Sequence, residues 1–183
     1  DFYVIHPGSA RNTTRTQAIN NLAEALTDAL AYKHHLTILV ENTAGQGDLL
    51  GKTWEELGVL AKKLEKRVGF CFDTAHAFAA GYRFVTTDGL ERMCEEIEKT
   101  VGLQYIKVVH ANDSAKQCGS FSDRHADIGK GFLGETAFAT LTGHHAFREL
   151  PFILETPKQA EEDDRRNLER LQRIYIKSRQ EST

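Results

Sequence analysis

Long apolar runs are missing from this chain of 183 residues. None approaches the roughly 18 consecutive apolar residues that a membrane-spanning helix needs, so no membrane partner is expected. Cysteine is scarce: Cys71, Cys94 and Cys118 are three widely spaced thiols with no C-x-x-C pair. That argues against a disulfide framework and against a thiolate zinc knuckle, and it predicts a reducing, intracellular setting in cytoplasm, nucleus or organelle. Excess charge is lacking too. Lysine and arginine number 23 against 26 aspartates and glutamates, a net charge of −3. Such a balance offers no general basic surface of the kind that marks nucleic-acid binding, although bound divalent cations escape the count. There is no G-x-S-x-G elbow to support serine-hydrolase chemistry, and no Gly-Lys-Ser/Thr follows Gly45 and Gly47 at phosphate-loop spacing.

What is present is alternation. With 40% apolar and 27% charged residues the composition is that of an ordinary globular domain. Five short apolar runs read as buried parallel strands: residues 2–6 (FYVIH), 36–41 (LTILVE), 68–73 (VGFCFD), 105–110 (YIKVVH) and 151–155 (PFILE). Helical spacing separates most of them. Ile19, Leu22, Ala23, Leu26 and Leu30 form one stripe. Trp54, Leu57, Ala61 and Leu64 form a second, behind Thr53 and Glu56 at capping-box spacing. Leu90, Met93, Cys94, Ile97 and Val101 form a third, closed by Gly102. A fourth helix is expected over residues 135–141, and a last one carries Leu168, Leu171, Ile174 and Tyr175. These positions, with Cys71, read as core. The alternation demands an α/β fold with a parallel sheet, either doubly wound or closed as a barrel.

All five runs end on a side chain that can hold a metal: His6, Glu41, Asp73, His110 and Glu155. Imidazoles and carboxylates are costly to bury for packing alone, and the C-terminal edge of a parallel sheet is where such folds place their chemistry. Two further pairs lie in the loops that leave those strands. His76 follows Asp73 by one helical turn, and Asp123 and His125 stand two apart, so an extended segment points both the same way. Mixed His and carboxylate donors without thiolate suit zinc, manganese or iron. Eight ligand-type residues exceed one ion's shell, so more than one metal is expected. The glycines at 45, 47 and 51 read as turn positions; His34, His35, His144 and His145 read as surface residues, and residues 165–179 as a solvated helix face.

The segments HPGSA (6–10), ENTAGQG (41–47), DTAHAFAAGY (73–82), NDS (112–114), GSFSDRHADIGKG (119–131) and ILET (153–156) resemble, in order, the successive motifs of the endonuclease IV family of apurinic/apyrimidinic endonucleases. The resemblance implies a TIM (β/α)8 barrel, of which this chain holds the C-terminal five β/α units, so that residues 1–183 are the C-terminal portion of one barrel domain. It implies three zinc ions in the complete enzyme, with manganese as a substitute. Glu41 would bridge two ions, one of them also held by His6; Asp73, His110 and Glu155 would complete the shell of the second; His76, Asp123 and His125 would hold the third.

Glu41 and Glu155 are the carboxylates the resemblance assigns to the chemistry, which is hydrolysis of the phosphodiester 5′ to an abasic site in double-stranded DNA, leaving a 3′-hydroxyl and a 5′-deoxyribose phosphate. No side-chain general base is required, because the ions activate water themselves. The full-length protein is expected to be a monomer. The missing amino-terminal units would carry a ninth ligand, the DNA-inserting loops and any targeting signal. Where the family has Cys, this chain has Ala75, which is not a ligand position. Two other readings stand beside this one: a metal-dependent sugar isomerase or epimerase on the same barrel, and a non-catalytic metal-binding remnant.

Overall fold

A computed structural model describes residues 1–32 and 35–181; the expectation for His34 lies outside the described residues. The chain begins with strand β1 (Phe2–Ile5), helix α1 (Arg15–Ala31) and strand β2 (Thr37–Glu41). Helix α2 (Trp54–Lys63), strand β3 (Gly69–Asp73), helix α3 (Thr74–Ala80) and helix α4 (Thr87–Thr100) follow. After strand β4 (Ile106–His110) come the two-residue strands β5 (Asp113–Ser114) and β6 (His125–Ala126), helix α5 (Gly134–Gly143), strand β7 (Phe152–Ile153) and helix α6 (Glu162–Glu181). Strands β1, β2, β3, β4 and β7 form one five-stranded sheet in that order, every pair parallel. Strands β5 and β6 pair separately and antiparallel.

Side chains alternate across a strand, and here the alternation separates core from chemistry. Val40, Phe70, Phe72 and Val109 face the helices and join the main core. Leu39, Cys71 and Val108 point the other way and form a second, small cluster with Val4. Two residues further along the same face of three strands come Glu41, Asp73 and His110. A register shift opposite Phe70 and Cys71 lets β4 keep this phase. The main core is aromatic: Trp54, Phe70, Phe72, Phe84, Phe138 and Phe147 are all at most 1% exposed. The Phe72 ring lies 5.6 Å from Phe84 and 5.5 Å from Phe147.

The strands are shorter than the apolar runs. Three end on the expected ligand, but β1 stops at Ile5 and β7 at Ile153, so His6 and Glu155 lie one and two residues past the ordered ladder. Residues 103–105 are a 3₁₀ turn rather than the start of a strand. Both edges of the sheet carry exposed apolar side chains, Phe2 and Tyr3 on β1 and Ile153 on β7. Helix starts follow the capping rules: Thr14, Thr53 and Thr86 accept hydrogen bonds from the backbone N–H groups of Gln17, Glu56 and Gly89. The expected capping box at Thr53 is only half made. Glu56 turns away to receive Arg15 at 2.7 and 2.8 Å and the Gly51 N–H at 2.6 Å, pinning α1 and the loop before α2 together. Gly102, with φ +91°, follows the end of α4.

Leu168, expected in the core, is 56% exposed, while Leu171 and Ile174 are buried. His144, expected at the surface, is buried instead. Its Nε2 lies 3.1 Å from Glu91 Oε1 and its Nδ1 accepts from the Ala146 N–H, so a loop histidine seals the end of α5 against α4. His35 and His145 are exposed. No helix among the described residues is long and apolar enough to cross a membrane.

Candidate metal centre

Asp73 does two things at once. As the last residue of β3 it is fully buried, and as the N-cap of α3 its Oδ1 accepts the His76 N–H at 2.7 Å. The cap fixes the start of the helix and so puts His76 in its first turn, with Nδ1 3.6 Å from the same Oδ1. Asp73 Oδ2 accepts from Asn112 Nδ2 at 2.6 Å. Glu41, at the end of β2, is also buried and splits its oxygens. Oε2 lies 3.3 Å from His6 Nε2, whereas Oε1 lies 3.3 Å from His76 Nδ1 and 3.0 Å from His110 Nδ1.

The remaining donors come from β4 and from the loops. His110 Nδ1 is also 3.1 Å from Glu155 Oε2. Asp123 places one oxygen 3.2 Å from His76 Nε2 and the other 3.3 Å from His125 Nε2. His125 Nε2 is 3.9 Å from Asp73 Oδ2, and its Nδ1 is 2.9 Å from the Glu155 carbonyl. All eight residues singled out in the sequence therefore converge on one site. Its floor is closed, with the side chains of Asp73, Glu41, His76 and His110 at most 5% exposed. Its mouth is open, with His6 56%, Glu155 47% and Asp123 39% exposed.

Three residues without an assigned role hold this arrangement. Asn42 donates to the Asp73 carbonyl and accepts the Asp73 N–H, at 3.0 and 2.7 Å. Asn112 grips the Asp73 carboxylate and accepts the Glu155 N–H at 2.7 Å, joining β3 to the segment after β7. Thr74 donates to the Asn112 carbonyl at 2.7 Å and accepts the Asn112 N–H at 2.9 Å. Asn42 and Asn112 lie one and two residues past strand-end ligands, a placement that could have flagged them. Cys71 is another surprise. It packs with Leu39 and Val108, yet its Sγ falls in one group with donor atoms of Glu41 and His110; burial raises its thiol to about 11.

Four carboxylates in one pocket call for compensating positive charge. Burial alone lowers His76, but Asp73, Asp123 and Glu41 outweigh it and lift the imidazole to about 11. Burial likewise opposes a charged His110, and contacts with Cys71, Glu155 and Glu41 raise it to about 12. Burial pushes Glu41 up, and hydrogen bonds from His110, His6 and His76 more than reverse it, so its carboxyl lies well below the usual range.

Metal cations fit the same need. Donor atoms within 4.8 Å of one another form the sets His6–Glu41–His76, Asp73–His76–His125 and Glu41–Asp73–His110–Glu155. His125 Nε2 is buried and makes no hydrogen bond, and an unsatisfied imidazole nitrogen facing carboxylates is a ligand position in waiting. Imidazole and carboxylate donors without a compulsory thiolate match the preference of zinc and its neighbours.

A family model described as xylose isomerase-like TIM barrel matches residues 1–174. The probable endonuclease 4 of Solibacter usitatus is 44% identical over 180 residues, which cover 95% of this chain and 62% of that protein. The crystal structure of endonuclease IV from Thermus thermophilus superposes with a TM-score of 0.77 at 34% identity, over 98% of this chain and 62% of that one. A D-tagatose 3-epimerase-like protein shares the fold, with a TM-score of 0.73 at 20% identity. The chain thus spans a little under two thirds of the endonuclease relatives it matches. The chain belongs to the xylose isomerase-like TIM barrel family and resembles its endonuclease IV members over nearly its whole length.

Proposed function

We propose that this chain carries most of the metal centre of a zinc-dependent DNA repair endonuclease, which hydrolyses the phosphodiester 5′ to abasic sites in duplex DNA and leaves a 3′-hydroxyl and a 5′-deoxyribose phosphate. Three zinc ions are expected in the complete protein, with Glu41 shared between two of them. The observation that supports this most is the split of the Glu41 carboxylate between His6 on one side and His76 and His110 on the other. Such a carboxylate, buried between donors on both sides, is placed to be shared by two ions.

His6 and Glu41 would hold one ion; Glu41, Asp73, His110 and Glu155 a second; and His76, Asp123 and His125 the third. When bound, the ions supply a nucleophile at neutral pH and Lewis acidity toward the phosphate. The residues do the rest. Asp73, Glu41, His76 and His110 make a buried floor, and the exposed trio His6, Asp123 and Glu155 stands on the side open to an approaching phosphate. Asn112 keeps two members of one set in register by holding Asp73 and Glu155 together. The positive charge of the ions would explain how a chain with a net charge of −3 meets an anionic backbone. The complete protein is expected to act as a monomer inside the cell.

A duplex with one abasic analogue and a 5′ label tests the reading. The full-length protein should cut it once, immediately 5′ to the lesion, without added Mg²⁺, and a polymerase should extend the new end. An aldose–ketose interconversion with the duplex left whole would point to the isomerase or epimerase reading, for which the fold likeness speaks; neither activity would point to a remnant.

A further inference from the structure

Phe121 is a large aromatic residue in a backbone conformation that bulky side chains avoid, with φ +51°, and it is 46% exposed. Two backbone contacts hold it there: Phe121 N–H donates to the Ala79 carbonyl at 2.9 Å and Gly119 N–H to the Phe78 carbonyl at 3.1 Å, both at the end of α3. Its ring is not idle on its flank. Lys52 Nζ stands 5.6 Å from the ring centroid, within the range of a cation–π contact. Gly45 lies beside it, so close to Lys52 and the ring that a Cβ there would meet Lys52 Cβ at 2.8 Å and Phe121 Cδ1 at 3.4 Å.

This cluster belongs to the rim of the metal centre. Phe121 precedes Asp123 by two residues, and Asp123 reaches His76 at 3.2 Å. The next residue of the opposite loop, Gln46, accepts the Asp123 N–H at 3.2 Å. The ligand and the exposed ring are therefore set by the same two loops. Half-buried Lys52 pairs with no carboxylate among the described residues, and its contact with the exposed ring is a weak one. A flat π-face beside an uncommitted ammonium matches a nucleotide, whose base or sugar stacks on aromatic rings while its phosphate takes a cation.

From this geometry we infer that Phe121 and Lys52 form a clamp for a nucleotide next to the cleaved bond, the ring stacking on its base or sugar and the ammonium turning from the ring to the phosphate. The inference rests on the nuclease reading and adds two recognition residues to it. No local pattern signals the pair, since Lys52 and Phe121 are 69 positions apart.

The test uses the full-length protein with Glu41→Gln to suppress cutting, and a fluorescein-labelled duplex bearing one tetrahydrofuran abasic analogue. Fluorescence anisotropy gives Kd across a salt series, and elemental analysis gives metal content. Phe121→Ala should weaken binding by about tenfold or more with the salt dependence unchanged, since stacking carries little charge. Phe121→Trp should restore it. Lys52→Ala should flatten the salt dependence by about one phosphate contact. Val59→Ser, on the outer face of α2, should leave Kd unchanged. Binding by Phe121→Ala within about twofold of the parent, or a loss that follows loss of metal, overturns the clamp while leaving the nuclease reading in place. If the parent itself binds no duplex, both fall together.

Discussion

Asp73 and Asn112 are joined by a 2.6 Å hydrogen bond from the amide to the carboxylate, and the same asparagine accepts the backbone N–H of Glu155. One amide thus holds two proposed ligands of one ion, although they lie 82 positions apart in the chain. Asn112→Ala should lower metal affinity by roughly 10- to 100-fold without unfolding the chain. Chelator-competition titration reads this directly, and unchanged affinity would make Asn112 merely structural.

Glu41→Gln removes the charge that the proposed bridge requires and keeps its shape. Cleavage of an abasic duplex should fall by roughly three orders of magnitude, while binding of that duplex stays within a few-fold of the parent. His35→Ala, at an exposed residue away from the strand ends, should leave both unchanged. Equal losses from the two substitutions would contradict the placement of the chemistry at the strand ends.

Metal binding should compete with protons. His76 and His110 are raised to about 11 and about 12, and a ligating imidazole is neutral, so each gives up a proton when an ion binds. Apparent zinc affinity, corrected for the chelator, should therefore rise by about tenfold or more per pH unit between pH 6 and 8. For the metal-free chain the sign is opposite. A raised imidazole stabilises the fold fully below its ordinary value near 6.5, and that stabilisation is lost as pH rises through 11. Metal-free protein should lose Tm steadily toward alkaline pH, and zinc should abolish the loss. A flat zinc affinity across this range would mean that these imidazoles are not ligands.

Glu56 receives Arg15 through two nitrogens and the Gly51 N–H through its Oε2. Glu56→Ala takes the acceptor from the Gly51 N–H and from Arg15 Nε, while Arg15 Nη2 keeps the Leu49 carbonyl, and it should cost about 1 kcal/mol in urea unfolding. An Arg15→Ala, Glu56→Ala double mutant should cost less than the sum of the singles. Strict additivity would show that the pair is not coupled in solution.

Much of the fold was legible because helical spacing marked Ile19 to Leu30 and Leu90 to Val101, and the strands stood out as short continuous apolar runs. Which strand residues face the helices and which share a face with Glu41 and Asp73 was not legible, because strands buried on both faces show no alternation. Strand ends were less legible: the apolar run at residues 151–155 reads as one strand, but pairing with β4 reaches only Phe152 and Ile153. His144 was misread because its burial depends on Glu91, a partner from another helix that no local pattern reveals. The eight proposed ligands were visible from residue type and position alone. Asn42 and Asn112 stand close enough to strand-end ligands to be flagged by position, but what they and Thr74 hold shows only when their partners are placed around them.

The metal count tests the central claim most directly. Full-length protein, purified without chelator and dialysed against metal-free buffer, should show by elemental analysis about three zinc ions per chain, and fewer in a form limited to these 183 residues. One ion per full-length chain, or none, would contradict a centre in which Glu41 is shared between metals.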